Sequence, residues 1–192
     1  MLEDVEVGLQ RAVREQCANA RFTALDTMNL WIEIARPSLI ETIKSVDCLI
    51  VNDGEVKQLT DEPNLVRAAS AVMELGPKVV VVKQGEYGSA MYTAEGVFGL
   101  PAYPTADVVD PTGAGDTFAG GFVGYVAAHA DEEISDELLR RAMAYGTALA
   151  SFNVEAFGTE RMQTLTPDEV NERVQELSRV TVFDASPVPL RA

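Results

Sequence analysis

Small residues and acids are concentrated in the stretch DPTGAGDTFAGGF, residues 110–122, immediately before an apolar run that is typical of a helix. Gly113, Ala114 and Gly115 allow a tight turn that exposes consecutive backbone N–H groups at a helix start, an arrangement that favours a bound phosphate. Asp116 would point into the same concavity and could take a proton from an attacking hydroxyl. The composition alone also fits a close-packed glycine turn in which Asp116 begins the helix, so both interpretations stay open on these residues.

Two further stretches place polar groups directly after apolar runs. NDGE, Asn52 to Glu55, follows CLIV, and an Asn and a Glu one turn apart could organise Mg²⁺ through its waters, because Mg²⁺ prefers oxygen ligands. The same spacing is also that of an ordinary capping box at a helix start. KQGEYGS, residues 83–89, follows VVVV and by itself is a glycine turn into the next strand.

The elements that must position these residues alternate between helix and strand. Spacing and composition predict, in order, helix EDVEVGLQRAVREQC, strand ARFTALDTM, helix RPSLIETIKS, strand VDCLIVN, helix PNLVRAASAVMELG and strand KVVVVKQG. This alternation indicates a parallel sheet covered on both faces. A hairpin around residues 94–96, a helix to about His129, a long helix in ELLRRAMAYGTALASF and a last helix opened by Thr166-Pro167 should follow.

Composition limits the class of protein. A chain of 192 residues with 47% hydrophobic side chains fits one globular domain, residues 1–192, with a loose tail at about 184–192. The formal charge of −15 would repel a phosphate backbone, so nucleic acid is excluded as a partner. An anionic ligand must therefore rely on local backbone dipoles, a few cations or a metal.

Cysteine content and hydropathy indicate where the chain resides. Cys17 and Cys48 have no metal-ligand or redox-motif spacing, which is typical of reduced thiols in a cytosolic protein. No apolar run reaches the ~18 to 20 residues of a membrane span, and the opening residues are acidic where a signal peptide is basic. We therefore expect a cytoplasmic protein with no membrane association.

Two common nucleotide motifs are absent from the sequence. A Walker loop requires GxxxxGK[ST], and no such string occurs. A dinucleotide fingerprint requires Gly or Ala in its third glycine position, where GAGDTF has Phe118, and no strand follows to supply the ribose-binding acid. A different phosphate-binding architecture is needed.

The stretch at 110–122 resembles the C-terminal signature of the ribokinase-like sugar kinases, the PfkB family. Members of that family transfer the γ-phosphate of ATP to a hydroxyl of a small sugar or nucleoside. The resemblance implies that Gly113, Ala114 and Gly115 form an anion hole and that Asp116 is the catalytic base. It also implies a three-layer, Rossmann-like α/β fold whose mostly parallel sheet is flanked by helices.

The two other polar stretches resemble family motifs in the same order. Asn52 to Glu55 is similar to the NxxE motif, which implies that Asn52 and Glu55 organise Mg²⁺ and its waters beside the ATP phosphates. Residues 83–89 resemble the TLGxxG segment that lies along ATP, which implies nucleotide contacts from Lys83, Gly85, Glu86 and Gly88. Lys83 stands where many members have Thr, and a cation there could contact phosphate.

Three weaker matches complete the resemblance. Asp110 and Thr112 match positions that bind K⁺ in some members, although Asp110-Pro111 also fits a turn start. YGTALASFNVEAFG, residues 145–158, corresponds to a wall of the adenine site. LDTMNLWIE is similar to a region facing the cleft, so Asp26 and Asn29 are either phosphate-side or substrate-side residues or helix-capping residues.

The resemblance also implies that this chain begins partway through the family pattern. Relatives have a preceding piece of about 100 residues that carries the first strands, the sugar-binding residues and a β lid. We expect these N-terminal strands and the lid to be missing here. The alternatives are then an ATP-dependent kinase portion, inactive alone or completed by a separate N-terminal piece, a nucleotide-binding module without catalysis, and an assembly piece such as a homodimer.

Overall fold

The computed structural model describes residues 2–185, with side chains from residue 7 onward. The strands are β1 (Ala24–Asp26), β2 (Cys48–Asn52), β3 (Val79–Lys83), β4 (Ser89–Thr93) and β5 (Gly96–Leu100). The helices are α1 (Leu2–Gln16), α2 (Asn29–Ile34), α3 (Arg36–Ile43), α4 (Asp53–Thr60), α5 (Leu65–Leu75), α6 (Ala114–Ala128), α7 (Asp136–Asn153), α8 (Glu160–Thr164) and α9 (Pro167–Thr181). None of these helices is both long and apolar enough to cross a membrane.

The five strands form one mixed sheet in the order β1-β2-β3-β4-β5. β1, β2 and β3 are parallel to one another, as the alternation of strand and helix predicts. β4 and β5 run antiparallel as the hairpin expected around residues 94–96. Two of the four strand pairings are therefore antiparallel, so the sheet is mixed and the expectation of a mostly parallel sheet holds only for its first three strands.

The sheet lies between two hydrophobic layers. Along β2, Leu49 and Val51 face one cluster, which also contains buried residues of α2 to α5, and Cys48 and Ile50 face the other. The second cluster contains Phe118, Phe122, Leu139, Met143 and Leu177, from α6, α7 and α9. Because both faces are covered, β2 and β3 have apolar residues at consecutive positions, which is the pattern that identified them in the sequence.

Helix α6 is held at close range against α7. A Cβ built on Gly121 would lie 3.0 Å from the Gly146 Cα, and one built on Gly146 would lie 2.8 Å from the Phe118 carbonyl oxygen. Only residues without side chains allow the two helices to approach so closely. This contact fixes α6, and with it the glycine-rich stretch that precedes it.

The structure differs from the sequence expectations at three short elements. β1 covers only three residues of the predicted strand ARFTALDTM. The short helices α2 and α8 were not predicted; α2 is stabilised by burial of Trp31 and Ile32 and has no side-chain N-cap bond. Residues 184 and 185 lie in no helix or strand, and the rest of the expected loose tail is outside the described residues.

Candidate active site

The glycine-rich stretch turns directly into the first turn of α6. Gly113 has φ 80° and ψ 0°, a left-handed conformation that favours glycine, and α6 begins at Ala114. The Ala114 N–H donates to the Pro111 carbonyl at 3.2 Å. Within the described residues, no hydrogen-bond partner is found for the N–H groups of Gly113, Gly115 or Asp116. These groups, at the positive end of the helix dipole, are available to an anion.

Asp116 lies in the first turn of α6 with an exposed side chain. Its carboxylate is near Asp26, since its negative charge contributes to raising the pKa of Asp26. The acid and the available N–H groups therefore share one end of one helix. A group bound to these amides would lie beside this carboxylate.

Strand register brings the other polar residues to the same face of the sheet. Asp26 is aligned with Ile50, and Asn52 with Lys83. Because side chains alternate between faces along a strand, all three polar residues share the face that Ile50 presents to α6 and α7. The carboxyl ends of β1, β2 and β3 thus lie side by side near the start of α6.

Lys83, at the end of β3, contacts both Asp26 and the start of α6. Its Nζ donates to Asp26 Oδ2 at 2.8 Å, and its side chain is only 18% exposed. A Cβ built on Gly115 would lie 3.1 Å from the Lys83 Nζ. A side chain at position 115 would therefore crowd the Lys83 ammonium. The ammonium lies next to the amides at the start of α6.

Burial is the main influence on the pKa values of Asp26 and Glu55. Burial raises the pKa of Asp26, and the hydrogen bond and charge of Lys83 oppose that increase. Burial also raises the pKa of Glu55, opposed by the N–H of Asn52, the charge of Lys83 and the N–H of Asn29. Lys83 is thus the shared counter-charge for two carboxylates.

Asn52 and Glu55 form a complete capping box at the start of α4. The Glu55 N–H donates to Asn52 Oδ1 and the Asn52 N–H donates to Glu55 Oε2, both at 2.8 Å. The capping interpretation of NDGE is therefore realised, and it leaves one Glu55 oxygen outside the box. The carboxylate and amide oxygens of this pair are of the kind that Mg²⁺ prefers. Within the described part of the chain, no group of three or more His, Cys, Asp or Glu side chains that could hold a metal ion occurs.

The stretch 83–89 forms the edge of a cavity of about 620 Å³. Gly85–Tyr87 is a single 3₁₀ turn between β3 and β4. The cavity is lined on this side by Gly85, Glu86 and Gly88, and on the other sides by Tyr103, Val108, Pro111, Ala114, Thr147, Ala150, Ser151 and Val154. Its volume lies in the range of small-molecule sites, and Ala114 connects it to the available amides.

Asp110 is held by two backbone donors. Thr112 N–H donates to Asp110 Oδ1 at 3.0 Å and Gly158 N–H donates to Oδ2 at 3.3 Å. These hydrogen bonds, that of Thr112 first, lower the pKa of Asp110. The turn interpretation of Asp110-Pro111 is therefore realised, and the contact with Gly158 also connects this turn to the segment after α7.

Two other residues considered in the sequence lie at helix ends. Asn29 is the first residue of α2, whose N-cap is Met28, and its backbone N–H is one of the groups that oppose the increase in the pKa of Glu55. His129 follows α6 as its C-cap residue and stacks on Tyr125 with a ring separation of 4.1 Å. His129 therefore serves the end of the helix, as its sequence position predicts.

Asn153 is the contact that sequence reasoning missed. This last residue of α7 is 2% exposed, and its side chain bonds to Thr112 and Thr117 on either side of the glycine-rich loop. The partners are 41 and 36 residues away in the chain, so no local pattern could indicate the contact. The available signal in the sequence was an Asn directly after the largely apolar run ALASF.

Comparison with known proteins places this arrangement in a family. The model of the pfkB family of carbohydrate kinases matches residues 4–165. The chain belongs to that family, and its α/β fold with a mixed sheet between helices is ribokinase-like.

Named relatives are kinases of nucleosides and sugars. The chain is 30% identical over 146 residues to a nucleoside kinase of Methanocaldococcus jannaschii, covering 75% of this chain and 44% of that protein. It is 37% identical over 111 residues to a cytidine kinase of Thermococcus kodakarensis, covering 56% and 39%. The chain therefore spans less than half the length of these two relatives.

Solved structures agree with the fold. A ribokinase II-type protein of E. coli, solved in complex with ATP and Mg²⁺, matches with a TM-score of 0.71 and 28% identity over 88% of this chain. The match covers 53% of that solved chain. That solved E. coli protein therefore binds ATP and Mg²⁺.

Proposed function

We propose that this chain is the ATP-binding portion of a kinase that phosphorylates a hydroxyl of a small sugar or nucleoside. The observation that carries the proposal is the set of available N–H groups at Gly113, Gly115 and Asp116, beside the Asp116 carboxylate and the Lys83 ammonium. In a chain of net charge −15, this is the local positive potential that a nucleotide phosphate needs. The activity of the whole enzyme, its acceptor and its partners belong to the same proposal.

The transfer step follows from this placement. Asp116 takes the proton of the acceptor hydroxyl while the hydroxyl oxygen bonds to the γ-phosphorus and the bond from the γ-phosphorus to the β–γ bridging oxygen breaks, releasing ADP. The amides of Gly113 to Gly115 stabilise the charge on the migrating phosphoryl group. Lys83, whose ammonium lies beside Gly115, neutralises a further phosphate oxygen.

Asn52 and Glu55 are the residues that would hold magnesium here, through its water shell. When bound, Mg²⁺ neutralises charge on the ATP phosphates. Glu55 has the oxygen outside its capping box for this purpose, and Asn52 lies level with Lys83 at the strand ends.

The adenine base and a monovalent cation complete the proposal. The cavity of about 620 Å³ next to Ala114 would hold the base and ribose between Gly85–Gly88 and the end of α7. Asp110 would contribute to a K⁺ site at the turn that it shares with Thr112 and Gly158. We expect ATP affinity measured in KCl to exceed that measured in NaCl, and equal affinities would remove K⁺ from the proposal.

The test combines calorimetry with a transfer assay. We expect MgATP to bind the chain, and Asp116→Asn to keep that affinity within a few-fold while abolishing phosphotransfer in the enzyme complete with any N-terminal piece. The assay is run over a panel of sugars and nucleosides. Full turnover by Asp116→Asn would refute its role as base.

A nucleotide-binding module without catalysis is the second candidate. The observation that favours it is that the chain spans less than half of its kinase relatives. Binding of MgATP with no phosphorylated product from any acceptor, also in the enzyme complete with any N-terminal piece, would favour this candidate over the kinase.

A further inference from the structure

Asn153 ties both ends of the glycine-rich loop to α7. Its Nδ2 donates to the Thr112 carbonyl at 2.8 Å, and its Oδ1 accepts from the Thr117 hydroxyl at 3.0 Å. Thr112 immediately precedes Gly113, and Thr117 immediately follows Asp116. One buried side chain therefore spans the four residues to which we assign phosphate binding and proton transfer.

The two bonds also fix the orientation of the amide. Reversing it would place an oxygen against the Thr112 carbonyl, which has no proton to donate. A Cβ built on Gly113 would lie 3.8 Å from both Asn153 Nδ2 and Oδ1. The Asn153 amide therefore lies beside Gly113, the residue with positive φ.

The loop has few bonds of its own. Within the described residues, the backbone bonds that close it are Ala114 N–H to Pro111 and Thr117 N–H to the Gly113 carbonyl at 2.8 Å. The neighbouring Val154 carbonyl accepts from Val109 N–H at 2.8 Å, which secures the approach to the loop from the same end of α7. The external hydrogen bonds of the loop therefore come from the end of α7 and from Gly158 in the segment that follows it.

We propose that Asn153 is a positioning residue, which holds the amides of residues 113–116 open toward a phosphate. The phosphate is the part of this inference that rests on the proposed function. A buried amide that loses its partners costs free energy, so its paired state keeps both loop ends in place. Without Asn153, both loop ends would lose a bond that holds the unpartnered N–H groups in place.

Hydrogen exchange tests the positioning without any ligand. In Asn153→Leu, which removes both bonds at similar volume, we expect the amides of Ala114 and Thr117 to exchange about tenfold faster, while those of β2 and β3 keep their rates. Thr117→Val, which removes one bond, should give a smaller increase and serves if Asn153→Leu does not fold. Asn171→Leu is the matched control, because among the described residues the exposed Asn171 side chain bonds only to Tyr145, whose hydroxyl donates to Asn171 Oδ1 at 2.7 Å. Unchanged exchange at both loop amides would overturn the proposal.

Nucleotide affinity then separates positioning from general stability. We expect Asn153→Leu to weaken the affinity for ATP about tenfold and to leave the affinity for AMP within about twofold of the wild-type value. The reason is that only the terminal phosphate reaches the loop. Equal losses for ATP and AMP, or no loss for either in a variant whose wild-type parent binds ATP, would overturn the proposal. Faster loop exchange together with no ATP binding by the wild type would support the positioning and refute the proposed function instead.

Discussion

At the scale of single residues, the charged groups of the site surround the ammonium of Lys83. Its ammonium bonds to Asp26, borders Gly115 and lowers the pKa of Glu55, while the whole chain carries a net charge of −15. Burial nevertheless leaves the pKa values of both acids raised. A phosphate arriving at the amides would therefore meet one concentrated positive charge, and the proposal predicts that this charge matters for ATP.

Lys83→Met removes that charge and keeps most of the aliphatic side chain. We expect ATP affinity to fall about tenfold and AMP affinity to change little, because a charge-assisted hydrogen bond to the terminal phosphate is lost. Calorimetry with both nucleotides measures the two changes in affinity. Lys44→Met is the matched control, since the Lys44 ammonium pairs with Glu41 at the end of α3 and both side chains are exposed. A normal ATP affinity in Lys83→Met would exclude the phosphate contact.

Glu55→Gln tests the raised pKa of Glu55. Because the folded chain holds this proton more tightly than the unfolded chain, the Glu55 contribution to stability falls as the pH rises from the ordinary value of 4.5 through the raised value. Gln can still accept the capping bond from Asn52. Denaturant titrations from about pH 4 to about pH 7 should therefore show the variant gaining stability relative to wild type as the pH increases. A difference that is constant with pH would contradict the raised pKa.

At the scale of elements, the close contact of α6 and α7 sets where the loop stands. Gly146→Ala would push a methyl group to 2.8 Å from the Phe118 carbonyl, so we expect a loss of about 1–3 kcal/mol in the free energy of unfolding. Gly124→Ala is the control on α6: nothing lies within 4 Å of a Cβ built at this position, and helix propensity should stabilise the variant by up to about 1 kcal/mol. Urea unfolding measures the stability of both variants. Equal changes in the free energy of unfolding would show that the two helices are not in contact at Gly146.

The elements were predictable where a local pattern determines them. Buried strands such as Val79–Lys83 are apolar at consecutive positions, and helix starts such as Thr166-Pro167 carry their capping residues, so both were visible in the sequence. The six-residue helix α2 depends on burial of Trp31 and Ile32, which no local pattern encodes. The Lys83–Asp26 pair joins residues 57 apart, so the sequence predicted Lys83 and Asp26 separately and could not predict their bond.

At the scale of the whole molecule, the negative field opposes its proposed ligand. A net charge of −15 repels ATP at long range, whereas the amides and Lys83 act only at contact. Salt screens the long-range repulsion over about 8 Å at physiological ionic strength. We therefore expect the association rate of a fluorescent ATP analogue, measured by stopped flow, to rise between about 20 and about 150 mM NaCl. A rate that falls with salt would indicate an attractive field that this chain does not provide.

The most direct test of the central claim is the response of individual backbone amides to nucleotide. In ¹H–¹⁵N spectra, we predict that MgATP shifts the resonances of Gly113, Gly115 and Asp116 strongly and that AMP, which lacks the terminal phosphates, does not. Residues lining the cavity, such as Gly88, should respond to both nucleotides. Equal shifts from ATP and AMP at Gly113 and Gly115, or no shift from either, would contradict the assignment of this loop as the phosphate site.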